Sequence, residues 1–238
     1  MPESQERLVK FLSSAGVASR RAAGDLVKSG RIAVNGKVVL EPGFQVAPSD
    51  TVTFDGNPVK IIAQLHYIML NKPRGYVCTH SDPHAPLKAV DLITLTPPVR
   101  LFSAGRLDKE SSGLILFSND GDYIEKITHP RNRILKTYIV RVTRDFTNAE
   151  LERIRTGIID DGELLKVISI SRLGATRYKI LLNEGKKREI RRLTAIAGSP
   201  TVELRRVKIG ELELGDLPEG TFRELSAAEV AQSLKSYS

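Results

Sequence analysis

The stretch SAGRLDKESSGLILFSNDGD, residues 103–122, joins a charged turn to an apolar strand and then to a second polar turn. Four consecutive apolar residues, Leu114–Phe117, predict a strand that is buried on both faces, as in the centre of a covered sheet. One carboxylate, Asp108, precedes this strand, between Arg106 and a turn that ends at Gly113. A solvated loop would contain the same charges, so Asp108 becomes a functional candidate only if other segments support a site.

The composition is that of a globular protein with an excess of positive charge. The 238 residues include 36 Lys and Arg against 28 Asp and Glu, which gives a net charge of +8, and 41% of them are hydrophobic. This balance attracts polyanions such as nucleic acids, although an ordinary basic surface would have the same charge. The single Cys78 excludes a disulfide within the chain and is typical of a reducing compartment. With a charged N-terminus and no long apolar run, the sequence predicts a soluble, cytoplasmic protein.

The first sixty residues predict a small unit of two helices and a hairpin. Apolar residues recur at helical spacing between Leu8 and Gly16, and a second helix is predicted from an N-cap at Ser19 to Gly30. Residues 31–39, RIAVNGKVV, alternate about an Asn-Gly pair, which favours a hairpin with a type I′ turn.

Basic side chains dominate this unit. Arg20 and Arg21 open the second helix, where backbone N–H groups also favour a phosphate, although a solvated helix face would look similar. Residues 6–39, ERLVKFLSSAGVASRRAAGDLVKSGRIAVNGKVV, resemble an S4 RNA-binding domain, which implies docking on structured RNA. We expect an S4 domain at residues 1–62 and a second domain at 63–238. The residues expected to contact RNA here are Arg7, Lys10, Arg20, Arg21, Lys28, Arg31 and Lys37.

The rest of the chain is richer in strands. Residues 66–80, HYIMLNKPRGYVCTH, predict a strand, a turn and a strand, and residues 134–142 alternate with Tyr138 on one face. Capping boxes that begin at Thr147 and Ser226 predict helices, a hairpin is predicted around Gly174, and residues 186–198 predict a helix. These patterns predict an α+β protein with a mixed, mainly antiparallel sheet flanked by helices.

The sequence lacks the residue patterns of a metal site and of a nucleophilic serine. The histidines do not have the spacing of metal ligands, one cysteine cannot build a zinc site, and no G-x-S-x-G motif is present. The histidines are His66, His80, His84 and His129. The sequence therefore predicts a metal-free site in which a carboxylate has cationic neighbours.

A second basic cluster lies in residues 184–193, EGKKREIRRL. On a helix, Arg188 points away from the apolar arc, whereas Arg191 and Arg192 flank its two edges. An edge residue can reach into a cleft, so the helical wheel leaves open which of the two arginines turns inward. An ordinary charged helix face would have the same pattern. The basic members of the cluster are Lys186, Lys187, Arg188, Arg191 and Arg192.

Four segments occur in an order that resembles the RsuA/RluB-type branch of the pseudouridine synthases, in which an S4 domain typically comes first. They are KPRGYVCTHSDP, AGRLDKESSGLILFSNDGD, LKTYIVRV and NEGKKREIRRLTAIAG. The resemblance covers nearly the whole chain. It departs from the family pattern at Ser111, where threonine is common, and serine keeps the hydroxyl.

The resemblance implies that the protein isomerises a uridine within RNA: the N1–C1′ bond breaks, the base turns over, and C5 is joined to the sugar. It implies that Asp108 is the catalytic aspartate, as a nucleophile at C1′ or as a base that removes a sugar proton, and both routes stay open. It further implies that Arg191 keeps Asp108 ionised, that Tyr138 stacks on the base and assists at the C5 proton, and that Leu193 lines the pocket. No cofactor or metal is expected for an isomerisation.

The expected partner is ribosomal RNA, bound by a monomer. Arg106 is expected to act as a wedge or phosphate contact when the uridine leaves its stack, and the rest of the second basic cluster (Lys186, Lys187, Arg188 and Arg192) is expected to meet phosphates. The resemblance favours the large-subunit, 23S, RNA, with the small-subunit, 16S, RNA as the competing target.

Two other functions are open at this point. One is a catalytically inactive RNA-binding or ribosome-assembly factor on the same fold, against which the presence of Asp108, Tyr138 and Arg191 argues. The other is a nucleoside hydrolase, which would need a second positioned carboxylate. Glu110 and Asp120 are nearby in sequence, but their positions fit turn and cap roles better.

Overall fold

The computed structural model describes residues 5–60, 64–79 and 87–237. The chain divides into two compact units, the first made of Met1–Leu65, Pro97–Arg100 and Asn119–Gly121, and the second of the remaining residues. The expected domain boundary at residues 62–63 lies outside the described residues and stays a prediction.

In the first unit the predicted helices and hairpin are confirmed. Its elements are β1 (Glu6–Arg7), α1 (Leu8–Ser14), α2 (Arg20–Lys28), β2 (Ile32–Val34), β3 (Lys37–Val38), β4 (Gln45–Val46), β5 (Val52–Phe54) and β6 (Asn57–Pro58). The Ser19 hydroxyl caps α2 by accepting a hydrogen bond from the backbone N–H of Ala22. Asn35 and Gly36 have φ angles of 50° and 75°, which are those of a type I′ turn. Strands β3, β2, β5 and β6 form an antiparallel sheet in that order.

The second unit is built on one large sheet. Its elements are β7 (Tyr67–Lys72), β8 (Phe102–Ser103), β9 (Ser112–Ser118), α3 (Gly121–Thr128), β10 (Lys136–Val142), α4 (Asn148–Thr156), β11 (Ile158–Asp160), β12 (Glu163–Leu165), β13 (Ser169–Gly174), β14 (Arg177–Leu182), α5 (Glu189–Ile196), β15 (Thr201–Ile209), β16 (Leu212–Glu213), β17 (Phe222–Glu224) and α6 (Ala227–Ser233). Both predicted capping boxes are formed, at α4 and at α6. No helix in the described parts of the chain is long and apolar enough to cross a membrane.

The strand order in the large sheet is β13-β14-β10-β15-β9-β7-β17, with β8 beside β9 and β16 beside β15. The pairs are antiparallel except for β15 with β9, which is parallel. The α+β class with a mixed, mainly antiparallel sheet is therefore confirmed. Leu114–Phe117 of β9 are almost fully buried, as their apolar run predicts.

Gly113 sets the distance between β9 and β15. Its φ is 103°, and a Cβ added there would lie 2.2 Å from the carbonyl oxygen of Arg206. Only glycine fits this close approach, which brings the beginning of β9, and with it the loop that contains Asp108, against β15.

Two predicted elements are wrong. In the described part of the segment after β7, residues 73–79, the chain forms only an isolated bridge between Val77 and Lys88 in place of the second strand. The backbone N–H of Gly75 instead donates to the carbonyl oxygen of Lys109, which draws the segment towards the Asp108 loop, and both edges of β7 are already paired by β9 and β17.

The predicted helix at residues 186–198 begins only at Glu189, because Arg188 has a left-handed φ of 52°. The Glu189 carboxylate accepts a hydrogen bond from the backbone N–H of Lys186 and so ties back the segment before α5. Lys186, Lys187 and Arg188 therefore lie on a loop rather than on a helix face.

Candidate active site

Asp108 lies on the loop between β8 and β9, and its side chain is 34% exposed. Its carbonyl oxygen accepts a hydrogen bond from the N–H of Ser111, and the neighbouring Leu107 N–H donates to Cys78 Sγ at 3.4 Å. With the Gly75–Lys109 hydrogen bond, these contacts hold the loop at both sides of the carboxylate. The position of Asp108 is therefore set by the backbone around it.

Arg191, in the first turn of α5, lies beside this carboxylate. Its Nε is 3.9 Å from Asp108 Oδ2, and its Nη2 donates to the carbonyl oxygen of Glu110 at 3.0 Å and to Ser111 Oγ at 3.3 Å. Only 11% of the Arg191 side chain is exposed, and its buried Nε has no hydrogen-bond partner among the described residues. Burial lowers the pKa of Arg191, with the nearby charge of Arg188 adding to the effect, but a guanidinium stays charged at neutral pH.

Arg192 points to a different partner. Its Nε lies 2.5 Å from Asp160 Oδ2 and its Nη1 lies 2.7 Å from Glu163 Oε2, both on the β11–β12 hairpin. Of the two arginines at the edges of the apolar arc, Arg191 thus faces Asp108 and Arg192 is held by two carboxylates. These ion pairs compete with the phosphate contact of Arg192, which stays a prediction.

A cleft opens beside Asp108. Tyr138 of β10 contributes to its wall and is only 8% exposed. Leu193, which was expected to line this pocket, is not among its lining residues: it is 1% exposed, while Ile190 at the beginning of α5 takes the lining position. Ile190 lies in the first turn of α5, next to Arg191, whereas Leu193 follows one turn later. The lining residues are Arg106, Leu107, Asp108, Ser111, Tyr138, Leu182, Gly185, Lys186, Arg188, Glu189, Ile190 and Leu204.

The structure places the remaining predicted residues at the rim or on the surface. Arg106 and Lys187 are exposed, Arg188 pairs with Glu110 at 2.8 Å and lowers the pKa of that carboxyl, and Lys186 is 3.4 Å from Glu184. In the first unit Lys10 is half-buried, Arg31 pairs with Asp55, and the other predicted RNA contacts are exposed. The exposed ones are Arg7, Arg20, Arg21, Lys28 and Lys37.

Two buried cations were missed from the sequence. Lys72, at the end of β7, is fully buried and donates to the carbonyl oxygens of Pro73 and Tyr76, and burial lowers its pKa. Arg206 of β15 is 3% exposed, with Nε donating to the carbonyl oxygen of Leu114 at 2.7 Å and Nη1 lying 3.5 Å from Tyr138 Oη. A signal was available for Arg206, because it alternates in step with buried Leu204.

The histidines take part in local contacts where they are described. His66 Nδ1 lies 2.6 Å from Glu224 Oε1, and His129 accepts a hydrogen bond from the N–H of Arg131; His80 and His84 lie outside the described residues. In the described ranges, no group of three or more His, Cys, Asp or Glu side chains is placed to hold a metal ion.

Comparison with known families and proteins gives consistent matches. A family model described as RNA pseudouridylate synthase matches residues 66–195, and the S4 domain model matches residues 6–52. The ribosomal small subunit pseudouridine synthase A of Escherichia coli K12 is 35% identical over 94% of this chain and 98% of its own length. An uncharacterized RNA pseudouridine synthase of Aquifex aeolicus is 37% identical over 96% of this chain and 94% of its own length. A crystal structure of a pseudouridylate synthase superposes with a TM-score of 0.71 at 29% identity, covering 95% of this chain and 99% of that one.

Proposed function

The chain belongs to the RNA pseudouridylate synthase family and carries an S4 domain, and from this premise we propose that it converts a uridine of small-subunit ribosomal RNA to pseudouridine with Asp108 as the catalytic residue. The family match and the similarity to named pseudouridine synthases support this reaction over that of a nucleoside hydrolase, and the presence of Asp108, Tyr138 and Arg191 argues against an inactive assembly factor. The observation that carries the residue assignment is the approach of Arg191 to Asp108 at the wall of a cleft that Tyr138 also lines.

Asp108 acts at the sugar of the target uridine, by attack on C1′ or by removal of a sugar proton. Both routes require the carboxylate form, and a nearby cation favours that form over the neutral acid. Arg191 supplies this cation, fixed by its hydrogen bonds to Glu110 and Ser111.

Once the N1–C1′ bond has broken, the base turns over within the cleft, a C5–C1′ bond forms, C5 loses its proton and N1 gains one. Tyr138, which lines the same cleft, stacks on the base and assists at the C5 proton. The atoms balance without an oxidant, a reductant or water, so this chemistry calls for no cofactor.

The choice of subunit follows the named relatives. The sequence resemblance favoured large-subunit RNA, but the comparisons support ribosomal RNA without supporting that subunit. The relative from Escherichia coli matches over nearly its full length and is named for the small subunit. This favours the 16S RNA as the target.

The RNA is held by charges on both units. Arg7, Arg20, Arg21, Lys28 and Lys37 are exposed on the first unit, and Arg106 and Lys187 on the second. These side chains bind phosphates and offset the cost of taking the uridine out of its stack, with Arg106 filling the place that the base leaves.

The test is pseudouridine mapping of 16S and 23S RNA from cells with and without the gene, together with turnover by the purified protein on each RNA. We expect one 16S position to lose its pseudouridine in the deletion strain and to regain it with the wild-type gene, but not with Asp108→Asn. Loss of a 23S position instead would overturn the assignment to the small subunit, and loss of none would overturn the proposed function.

A further inference from the structure

A second cavity adjoins the cleft that contains Asp108. The two cavities share Arg106, Tyr138, Gly185 and Lys186 in their walls, and the second is also lined by Lys136 and Arg206. All of these residues belong to the second unit. A group bound in the second cavity would therefore lie next to a uridine bound at Asp108.

Arg206 reaches this cavity from the centre of the sheet. It is paired with Tyr138 across β10 and β15, so the two side chains share one face. Although the residue is only 3% exposed, its Nη2 has no hydrogen-bond partner among the described residues. Buried guanidinium donors are normally satisfied, so an unpartnered one on a residue that lines a cavity points to a missing acceptor.

Lys136 provides the second charge. It is half-buried two residues before Tyr138 on the same strand, and its Nζ donates to the carbonyl oxygen of Ile127 at 3.3 Å and to that of Asn183 at 3.5 Å. Burial and the adjacent charge of Arg206 lower the pKa of Lys136 to about 8. Two cations thus lie in the wall of the same cavity, close enough for the charge of Arg206 to lower the pKa of Lys136.

The other charged groups of this wall do not relieve that repulsion. Glu184 lines the cavity, but its carboxylate pairs with Lys186 at 3.4 Å. Arg106 adds a further exposed cation at the rim. In the described part of the chain, no carboxylate forms an ion pair with either Lys136 or Arg206.

We propose that this cavity binds a backbone phosphate of the RNA beside the target uridine, with Arg206 Nη2 and Lys136 Nζ as its donors. The inference rests on the proposed function, since it concerns the RNA that enters the neighbouring cleft. A phosphate has several oxygens and can accept from both donors at once, and its charge offsets the repulsion between them. A base carbonyl would satisfy Arg206 but would leave the two cations uncompensated.

The experiment pairs single-phosphate neutralisation with single-residue substitution. Its RNA is the smallest ribosomal fragment that the full-length protein binds, made with one methylphosphonate at a time at each position around the target uridine. Dissociation constants are measured in the Asp108→Asn background, which stops turnover. They are compared between the protein that retains Lys136 and the Lys136→Met variant. Lys179→Met is the matched control, because Lys179 is an exposed lysine on the opposite face of the neighbouring strand β14.

We expect neutralisation of one flanking phosphate to weaken binding about tenfold when Lys136 is present and less than about twofold when it is methionine. With Lys179→Met the tenfold effect should persist. Arg206→Lys, which keeps the charge but removes Nη2, should weaken the effect of the same phosphate. If Arg206→Lys fails to fold, Lys136→Met alone decides.

The inference would be overturned if every methylphosphonate weakened binding by the same factor with Lys136 and with Lys136→Met. It would also be overturned if Lys179→Met reduced the effect of the same methylphosphonate as much as Lys136→Met does. Turnover of the unmodified fragment by the wild-type protein is measured separately. If the protein turns over the RNA but the methylphosphonate effect does not depend on Lys136, only the phosphate site is ruled out. If that effect does depend on Lys136 but no ribosomal RNA is turned over, the proposed function is ruled out and the phosphate site remains.

Discussion

Arg191 Nε lies 3.9 Å from Asp108 Oδ2, while Nη2 of the same guanidinium is hydrogen-bonded to the loop that carries this aspartate. The distance is that of a loose ion pair rather than a direct hydrogen bond. One side chain thus holds the Asp108 loop through Nη2 and places its guanidinium charge beside the carboxylate.

Replacement of Arg191 should therefore slow turnover. Arg191→Leu removes the guanidinium beside Asp108 together with its hydrogen bonds to the loop, so the single-turnover rate on saturating RNA should fall at least about tenfold. Arg191→Lys should restore only part of this rate, because an ammonium cannot make the forked contacts of a guanidinium. Arg192→Leu is the control, since Arg192 is paired with Asp160 and Glu163; a loss of rate with this variant alone would exchange the two roles.

Asp108→Asn should abolish pseudouridine formation and leave the dissociation constant of the RNA within about threefold of the wild type. The substitution keeps the size of the side chain and removes a group that acts in the transition state rather than in docking. Glu110→Gln, two residues away and exposed, is the control and should retain turnover. Substantial residual turnover by purified Asp108→Asn would contradict the assignment of Asp108.

Gly113→Ala should destabilise the protein by about 2–4 kcal/mol, because alanine is strained at this φ and its Cβ would collide with the backbone of β15. The free energy of unfolding in urea measures the effect. Gly174→Ala is the matched control, since a Cβ there would meet only Arg177 Cβ at 4.0 Å, and it should cost less than about 1 kcal/mol. Equal stability of the two variants would mean that β9 and β15 can separate at no cost.

Local sequence patterns were enough to predict the fold class and the buried strand that follows the Asp108 loop. The buried run Leu114–Phe117, the Asn-Gly turn and both capping boxes depend on neighbours within a few residues, and the structure has all of them. The place of Asp108 between a Gly-bounded turn and the buried strand made it only a candidate, and its catalytic role was implied by the resemblance to a known family.

Long-range pairing could not be predicted in the same way. Arg206 and Tyr138 are 68 residues apart, and only the register of β15 against β10 brings them onto one face. Leu193 was implied by the family resemblance, whereas Ile190 of the same helix lines the cleft; both lie on the buried side of α5, which a helical wheel does not resolve further. The same wheel could not tell Arg191 from Arg192, because the carboxylates that hold Arg192 belong to a distant hairpin.

The double variant Arg20→Gln, Arg21→Gln should bind RNA more weakly. The slope of log binding constant against log salt concentration should become shallower by about one to two, because about one counterion fewer is released for each phosphate contact that is lost. Both side chains are exposed at the beginning of α2. Arg153→Gln with Arg155→Gln, on the exposed side of α4, removes the same charge elsewhere and should leave the slope unchanged. Identical slopes for both double variants would show that these two S4 arginines do not contact the RNA.

Lys136 should make the stability of the free protein depend on pH in the alkaline range. In the folded state its pKa is about 8, against 10.5 for an ordinary lysine, because it is buried beside Arg206. Between about pH 8 and 10.5 the unfolded chain then binds more protons than the folded one, so the free energy of unfolding should rise with pH across this window. Below about pH 8 the buried side chain is charged, and the full free-energy cost of burying that charge is present.

Lys136→Met removes this titration. The free energy of unfolding of the variant, from urea titrations at several pH values, should therefore exceed that of the wild type most below pH 8, and the difference should narrow above it. The same difference for Lys179→Met should stay flat, because that side chain is exposed. A flat difference for Lys136→Met as well would mean that Lys136 is not held beside Arg206 in solution.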